Sequence, residues 1–208
     1  MNVHSFSTFT QSYSSNMVKR EKNNEKRTDL LKATLSLVNN NGFHDAPMSK
    51  IAKLAGVSPA TIYLYFDSKQ DLINQLYLEV KASFCECAFN EYDESLPIKK
   101  GFEIIWKNIA HYKFKNIEEA VFLSQCDNTP MIDETSKEEG LKHLQPLIDL
   151  WERGKTEKII KPISCYLLYA YTIYPLAFLM NLQKKDKNQL DENCLENAFQ
   201  AAWDSIRI

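Results

Sequence analysis

The sequence predicts an all-α protein: a small N-terminal three-helix head followed by a larger helical domain. Three observations carry this. Apolar residues recur at helical spacing along most of the chain. Strand signals are sparse, with little period-two alternation, five glycines and no Asn-Gly hairpin turn. The breaks between periodic segments carry helix-capping chemistry rather than hairpin chemistry. At 208 residues and 44% hydrophobic, the chain can build one large core, or a small domain joined to a larger one. The organisation expected is a disordered tail over 1–22, a head over 23–70 and a second helical domain over 71–208.

Each element has its own signal. Leu30, Leu31, Thr34, Leu37 and Val38 define a first amphipathic helix, closed by Asn41-Gly42, where glycine takes a left-handed cap. A short helix follows over 48–55 with Ile51, Leu54 and Ala55 inward, and Gly56-Val57 breaks it. Ser58 supplies an N-cap hydroxyl and Pro59 suits the first helical position, so a second short helix runs over 59–65. Ser68 and Asp71 form a variant capping box at the start of a long helix to about residue 92, with Leu72, Leu76, Val80 and Phe84 on one face. Residues 93–97 are a linker. Phe102, Ile105, Trp106, Ile109 and Tyr112 mark the next helix, and 117–126 a shorter one. Residues 127–136 read as a loop. Leu141, Leu144, Ile148 and Trp151 mark a helix bent at Pro146, and 153–161 is basic and turn-like. Two helices, 163–183 and 191–207, close the chain.

The tail expectation rests on a run rich in Ser, Thr, Asn and Gln with no apolar signal core, which leaves Met17 as a more natural start. Charge divides unevenly. Residues 17–81 hold 10 Lys/Arg against 7 Asp/Glu, and residues 82–208 hold 15 against 20. A mildly basic front favours a polyanionic partner there. The cysteines, Cys85, Cys87, Cys126, Cys165 and Cys194, are odd in number and lack metal spacing, as expected of reduced thiols in a cytoplasmic protein, with a redox sensor as the alternative. No nucleotide loop, zinc-protease motif or nucleophile elbow is present and the histidines are isolated, so neither an enzyme nor a metal or cofactor is implied. Residues 162–183 carry no charge and are long enough to cross a bilayer. Their tyrosines and central Pro175 favour burial on both faces over membrane insertion.

The segment LAGVSPATIYLYFDSK carries the function. Short helices around a Gly-containing turn form a helix-turn-helix, whose second helix enters the DNA major groove. Ala60 is small enough for close approach. Thr61 offers a hydroxyl and a methyl, and Tyr63 and Tyr65 carry hydroxyls on rigid arms suited to phosphate. Lys69 brings a charge to a helix N-terminus. Ile62 and Phe66, spaced i and i+4, face inward. The run IAKLAGVSPATIYLYFDSKQDLINQLY resembles the DNA-binding signature of the tetracycline-repressor (TetR) family. Ile51, Ala52, Ala55, Gly56, Val57, Ser58, Thr61, Ile62, Tyr63, Tyr65, Phe66 and Lys69 fill its places. The resemblance implies DNA contacts from Ser58, Ala60, Thr61, Tyr63, Tyr65 and Lys69, and a phosphate contact from Ser49. Pro47 stands where the family often has a hydroxyl, and Ala60 where a base-reading side chain can stand. Arg20, Lys22, Lys26 and Arg27 track phosphate or form a solvated basic end.

The resemblance also implies that the rest of the chain binds a ligand and dimerises. Phe102, Trp106, Tyr112, Phe122, Cys126, Trp151 and Tyr169 are expected around a flat apolar effector, each with plain core packing as the alternative. Tyr171, Phe178, Leu195, Phe199 and Trp203 are expected at an isologous interface, the alternative being a stripe that covers only the intrachain core. The expected function is a homodimeric repressor released from a near-palindromic operator by a small molecule. An activator, or a DNA-bound interaction protein without effector, is the other reading.

Overall fold

The computed structural model describes residues 4–185 and 191–208, with side chains over 23–127, 129–182 and 191–208. Its elements are α1 (His4–Asn41), α2 (Met48–Leu54), α3 (Pro59–Ile62), α4 (Lys69–Ala88), α5 (Ile98–Lys115), α6 (Ile117–Asn128), α7 (Glu134–Lys142), α8 (Gln145–Thr156), α9 (Cys165–Thr172), α10 (Pro175–Lys185) and α11 (Glu192–Ile206). The chain is all-α; among the described residues the only β pairing is an isolated bridge, Ile160 to Arg207. The tail expected to be disordered over 1–22 is helical from His4, as the first part of α1, and its side chains lie outside those described. Arg20 and Lys22 fall there too.

The chain divides into two compact units, Met1–Leu76 and Tyr77–Ile208. The division falls inside α4 rather than at its start, where the sequence reading put it. The first turns of α4 carry Leu72 and Ile73, both fully buried, and so complete the head's core with Leu30, Val38, Ile51, Ile62 and Phe66. In the head, α1 packs on α2 and α2 on α3.

The second unit is built around α5, which packs on α6, α8, α10 and α11. Its buried face is Phe102, Ile105, Trp106, Ile109 and Tyr112, at the helical spacing read from the sequence. The Trp106 indole N–H donates to the Thr172 carbonyl at 2.8 Å and ties α5 to the end of α9. Gly140 admits the Tyr77 ring so closely that a Cβ there would lie 2.6 Å from it, which fixes α7 on the middle of α4.

Two proline positions differ from expectation, for one physical reason. Pro146 does not bend a helix; it sits in the first turn of α8, where its missing N–H leaves no gap in the hydrogen-bond ladder. Pro175 likewise opens α10, so the run expected as one helix over 163–183 is two, α9 and α10. The stretch Cys165–Leu182 has 28% of its length buried within the protomer. It is apolar and largely uncovered, but the break before Pro175 interrupts its helix. The segment expected as a loop over 127–136 is shorter, because Asp133 caps α7 by accepting from the Ser136 N–H at 2.8 Å. The chain's end is pinned as well: Ile208 N–H donates to the Ile159 carbonyl at 3.0 Å, and Lys161 N–H to that of Ile206 at 2.8 Å.

Candidate nucleic-acid interface

The turn between α2 and α3 follows from three residues. Gly56 has φ +69°, the left-handed region. Nothing lies within 4 Å of where its Cβ would stand, so the backbone conformation rather than space selects glycine. Val57 N–H donates to the Ala52 carbonyl at 2.9 Å and Gly56 N–H to that of Lys53 at 3.2 Å, the pair of bonds that defines a Schellman cap. Ser58 then caps α3. Its Oγ accepts from the Thr61 N–H at 3.2 Å and lies 2.8 Å from the Thr61 hydroxyl.

α3 is shorter than the 59–65 expected. It is α-helical only to Ile62, and residues 63–65 continue as tight turns with Leu64 N–H to the Thr61 carbonyl and Tyr65 N–H to that of Ile62, both at 3.1 Å. These turns sort the side chains. Ile62 and Phe66 are buried, as their spacing predicts. Pro59 and Ala60 are exposed, Tyr63 is 57% exposed, and Leu64 is 81% exposed. Ser49, Lys50 and Lys53 of α2 are exposed as well.

Not every side chain singled out in the sequence is free. Tyr65 is half-buried, and its hydroxyl donates to Asn23 Oδ1 at 2.5 Å. The Lys69 ammonium donates to the Phe43 carbonyl and, at 3.3 Å, to that of His44, and it lies 4.5 Å from the centre of the Phe43 ring. Desolvation in that position lowers its pKa, partly offset by Asp45. Lys69 thus ties the start of α4 to the α1–α2 loop, with one ammonium hydrogen left for a further acceptor. Arg27 is likewise structural. It stacks 5.6 Å from the Phe66 ring centre and donates to Gln75 Oε1 at 2.7 Å, while Lys26 is exposed. The Ser68–Asp71 cap is present: Asp71 N–H donates to Ser68 Oγ at 3.1 Å, and Asp67 N–H to Asp71 Oδ2 at 2.9 Å.

The sequence reading missed Leu64, Lys50 and Lys53. Leu64 is a large apolar side chain held in water beside Tyr63, and it suits a thymine methyl or a sugar edge. The available signal was the position itself, since its own neighbours at i−2 and i+2, Ile62 and Phe66, face inward. Lys50 and Lys53 flank the buried pair Ile51 and Ala52, and that flanking position was their signal.

In the second unit the residues expected around an effector are closed core. Phe102, Trp106, Tyr112, Phe122, Cys126 and Trp151 are buried, and Tyr169 is half-buried. Of these, Trp106 borders a recess of about 710 Å³ between α5 and the start of α11, shared with His111, Phe114 and Leu195. The Tyr112 hydroxyl is hydrogen-bonded to Glu119. The Trp151 indole N–H is buried without an acceptor among the described residues. Burial pushes the Cys85 thiol up to about 11 and the Cys126 thiol up to about 12, so both are inert at neutral pH, which weighs against the redox reading.

The interface expectation divides. Phe199 and Trp203 are buried within the protomer, each with its ring centre 6.1 Å from that of Phe102, and Phe199 lies 5.7 Å from Trp106. They are core of α5 and α11, so the apolar stripe of α11 covers its own chain, and their assignment to a dimer surface is corrected. Leu195 is half-buried in the recess just described. Tyr171 and Phe178 are exposed, together with Tyr166 and Leu167 on the same pair of helices, α9 and α10, and Tyr174 in the break between them.

A Schellman turn, a serine-capped short helix and a row of exposed side chains over a buried Ile62 and Phe66 define a helix-turn-helix head. Comparison with known proteins agrees. Residues 30–76 match the bacterial regulatory proteins of the tetR family, and residues 97–207 match the tetracyclin repressor-like C-terminal domain. An uncharacterised HTH-type transcriptional regulator of Haemophilus influenzae is 26% identical over 188 residues, which is 88% of this chain and 98% of that protein. The crystal structure of a TetR family transcription regulator from Marinobacter aquaeolei has a TM-score of 0.84 at 23% identity, covering 90% of this chain and 98% of the other. The transcriptional regulator FadR of Bacillus subtilis, solved in complex with stearoyl-CoA, has a TM-score of 0.66 at 22% identity, covering 84% and 96%. The chain belongs to the TetR family of helix-turn-helix transcriptional regulators.

Proposed function

We propose that the protein is a homodimeric repressor that leaves a near-palindromic operator when a small, apolar or aromatic molecule binds its second unit. The observation that carries the DNA half is the sorting of side chains at α3: Ala60, Tyr63 and Leu64 outward, Ile62 and Phe66 inward. Tyr63 and Ser49 contact phosphate, Leu64 and Ala60 approach base edges, and Ser58 with Thr61 shapes the helix start. Lys69 orders the α1–α2 loop and offers its remaining hydrogen to phosphate. Dimerisation uses the exposed face of Tyr166, Tyr171, Tyr174 and Phe178, since isolated apolar side chains are ordinary on a surface but a run of them on adjoining helices is not. Two heads then meet half-sites about one helical turn, ~34–36 Å, apart.

α4 belongs to both units as one helix, so it is the element through which an effector changes the spacing of the heads. Near-complete release requires about 5.5 kcal/mol of differential affinity between the two states, and by linkage DNA weakens effector binding by the same factor. The stearoyl-CoA held by FadR supports an effector with a long apolar part. The closed packing around Phe102 and Phe122 favours the second reading, a DNA-bound regulator that needs no effector.

Selection of bound sequences from randomised duplexes tests the proposal. The expected product is an inverted repeat that the protein releases on titration with stearoyl-CoA. Enrichment of the repeat with no release by any acyl compound supports the second reading, and no enrichment at low salt removes both.

A further inference from the structure

We propose that Lys81 and Lys113 form a buried receptor for the anionic group, carboxylate or phosphate, of a small organic ligand in the second unit. This deepens the effector reading above and rests on it.

The observation is two ammonium groups where the chain itself supplies no partner. Lys81 of α4 is 5% exposed and Lys113 of α5 is 7% exposed. Lysine is almost never so deeply buried unless paired. Their nitrogens lie 5.5 and 6.0 Å from the centre of the same ring, Phe84. Among the described residues neither donates a hydrogen bond and neither forms an ion pair, although the exposed Lys107 and the half-buried Lys155 do both. Attraction to the ring face does not replace the hydration that the Lys113 ammonium loses on burial. Two of them around one ring also repel each other.

The surroundings do not cancel this charge. The acid whose field reaches Lys113 is Asp127, which is exposed and forms no ion pair with either lysine. The Tyr112 hydroxyl is committed to Glu119 while its ring stands edge-on to Phe84, 5.3 Å between centres, and so closes that side of the site. Cys126, within electrostatic reach of Asp127 and Lys81, stays a neutral thiol. Desolvation lowers the pKa of Lys113 to about 8; Asp127 opposes the shift and Lys81 adds to it, so burial outweighs the counter-charge that the chain supplies. Free donors, burial and an excess of positive charge are the requirements of an anion site, and an arriving carboxylate or phosphate relieves the penalty that the empty protein carries.

The test is calorimetric binding to the full chain of stearate, stearoyl-CoA and stearyl alcohol, with inorganic phosphate followed by thermal shift. The wild type is compared with a Lys81→Met, Lys113→Met double variant. The wild type is expected to prefer at least one charged probe to the alcohol by tenfold or more. Stearate leading identifies a carboxylate site, and stearoyl-CoA or phosphate leading a phosphate site. The double variant is expected to lose that preference, keep the alcohol's affinity, and unfold at a higher temperature than the empty wild type because the uncompensated charges are gone. Equal binding of all three acyl probes by the wild type, or a preference retained by the variant, overturns the anion site and leaves the effector reading standing. Failure of every probe, phosphate included, together with a variant no more stable than the wild type, also overturns the site. Release of the operator by an uncharged molecule then remains the separate test of the effector reading.

Discussion

Phe199 and Phe178 separate the core of the protomer from its dimer surface, because the two rings differ in what covers them. Phe199 is 1% exposed and packs on Phe102 and Trp106 of its own chain. Phe199→Ala therefore removes core contacts and leaves a cavity, at a cost of about 3–5 kcal/mol to unfolding. Phe178 is 65% exposed on the protomer. A phenylalanine offers roughly 200 Å². Covering two-thirds of that at ~25 cal/mol per Å² is worth about 3 kcal/mol per copy as an upper estimate. Allowing for what alanine retains, Phe178→Ala is expected to weaken the dimer by about 4 kcal/mol over two copies, roughly a thousandfold. Sedimentation across a concentration series gives the dimer constant, and urea unfolding of dilute samples gives protomer stability. Phe199→Ala should move the urea midpoint, and Phe178→Ala the dimer constant. The reasoning fails if Phe199→Ala leaves the midpoint unchanged while dissociating the dimer, or if Phe178→Ala does neither.

Gly56→Ala meets no steric obstacle, so its cost is the left-handed backbone alone, about 1–2 kcal/mol, and Gly56→Asn should cost less; thermal unfolding of the head distinguishes them. Lys69→Met should destabilise the α1–α2 loop, seen as faster amide exchange at residues 43–45, and lower DNA affinity less than Tyr63→Ala does; equal exchange in variant and wild type contradicts the tie to Phe43 and His44. The folded pKa of Lys113 lies near 8 against an ordinary 10.5, so the unfolded chain binds the extra proton between those values and this residue's penalty is full below pH 8. The stability advantage of Lys113→Met over the wild type should accordingly be largest near pH 7 and shrink towards pH 10.5, and a pH-independent gap would count against the shift.

What the sequence made legible was local. Gly56, Ser58 and Pro59 act through bonds no more than five residues long, so the turn and the start of α3 followed from residue type alone. The inward pair Ile62 and Phe66 followed from spacing, and so did the buried face of α5. Partner choice was not legible. The stripe of α11 specifies an apolar neighbour without saying whether it is α5 or a second chain, and it proved to be α5. Lys69 and Arg27 looked like free cations because carbonyls and a glutamine distant in sequence satisfy them only after folding. Lys81 and Lys113 lay in two separate amphipathic patterns, and nothing in either places both on Phe84. Pro146 and Pro175 were seen, but whether a proline bends a helix or opens one depends on where the preceding turn ends.

The central claim is that the exposed end of α3 reads DNA. Fluorescence anisotropy on the selected inverted repeat, for the wild type and for Tyr63→Ala with Leu64→Ala, tests it most directly. The account predicts a double variant that stays folded and dimeric yet binds the repeat at least tenfold more weakly, with less discrimination against scrambled duplex. Undiminished affinity and discrimination in that variant would contradict it.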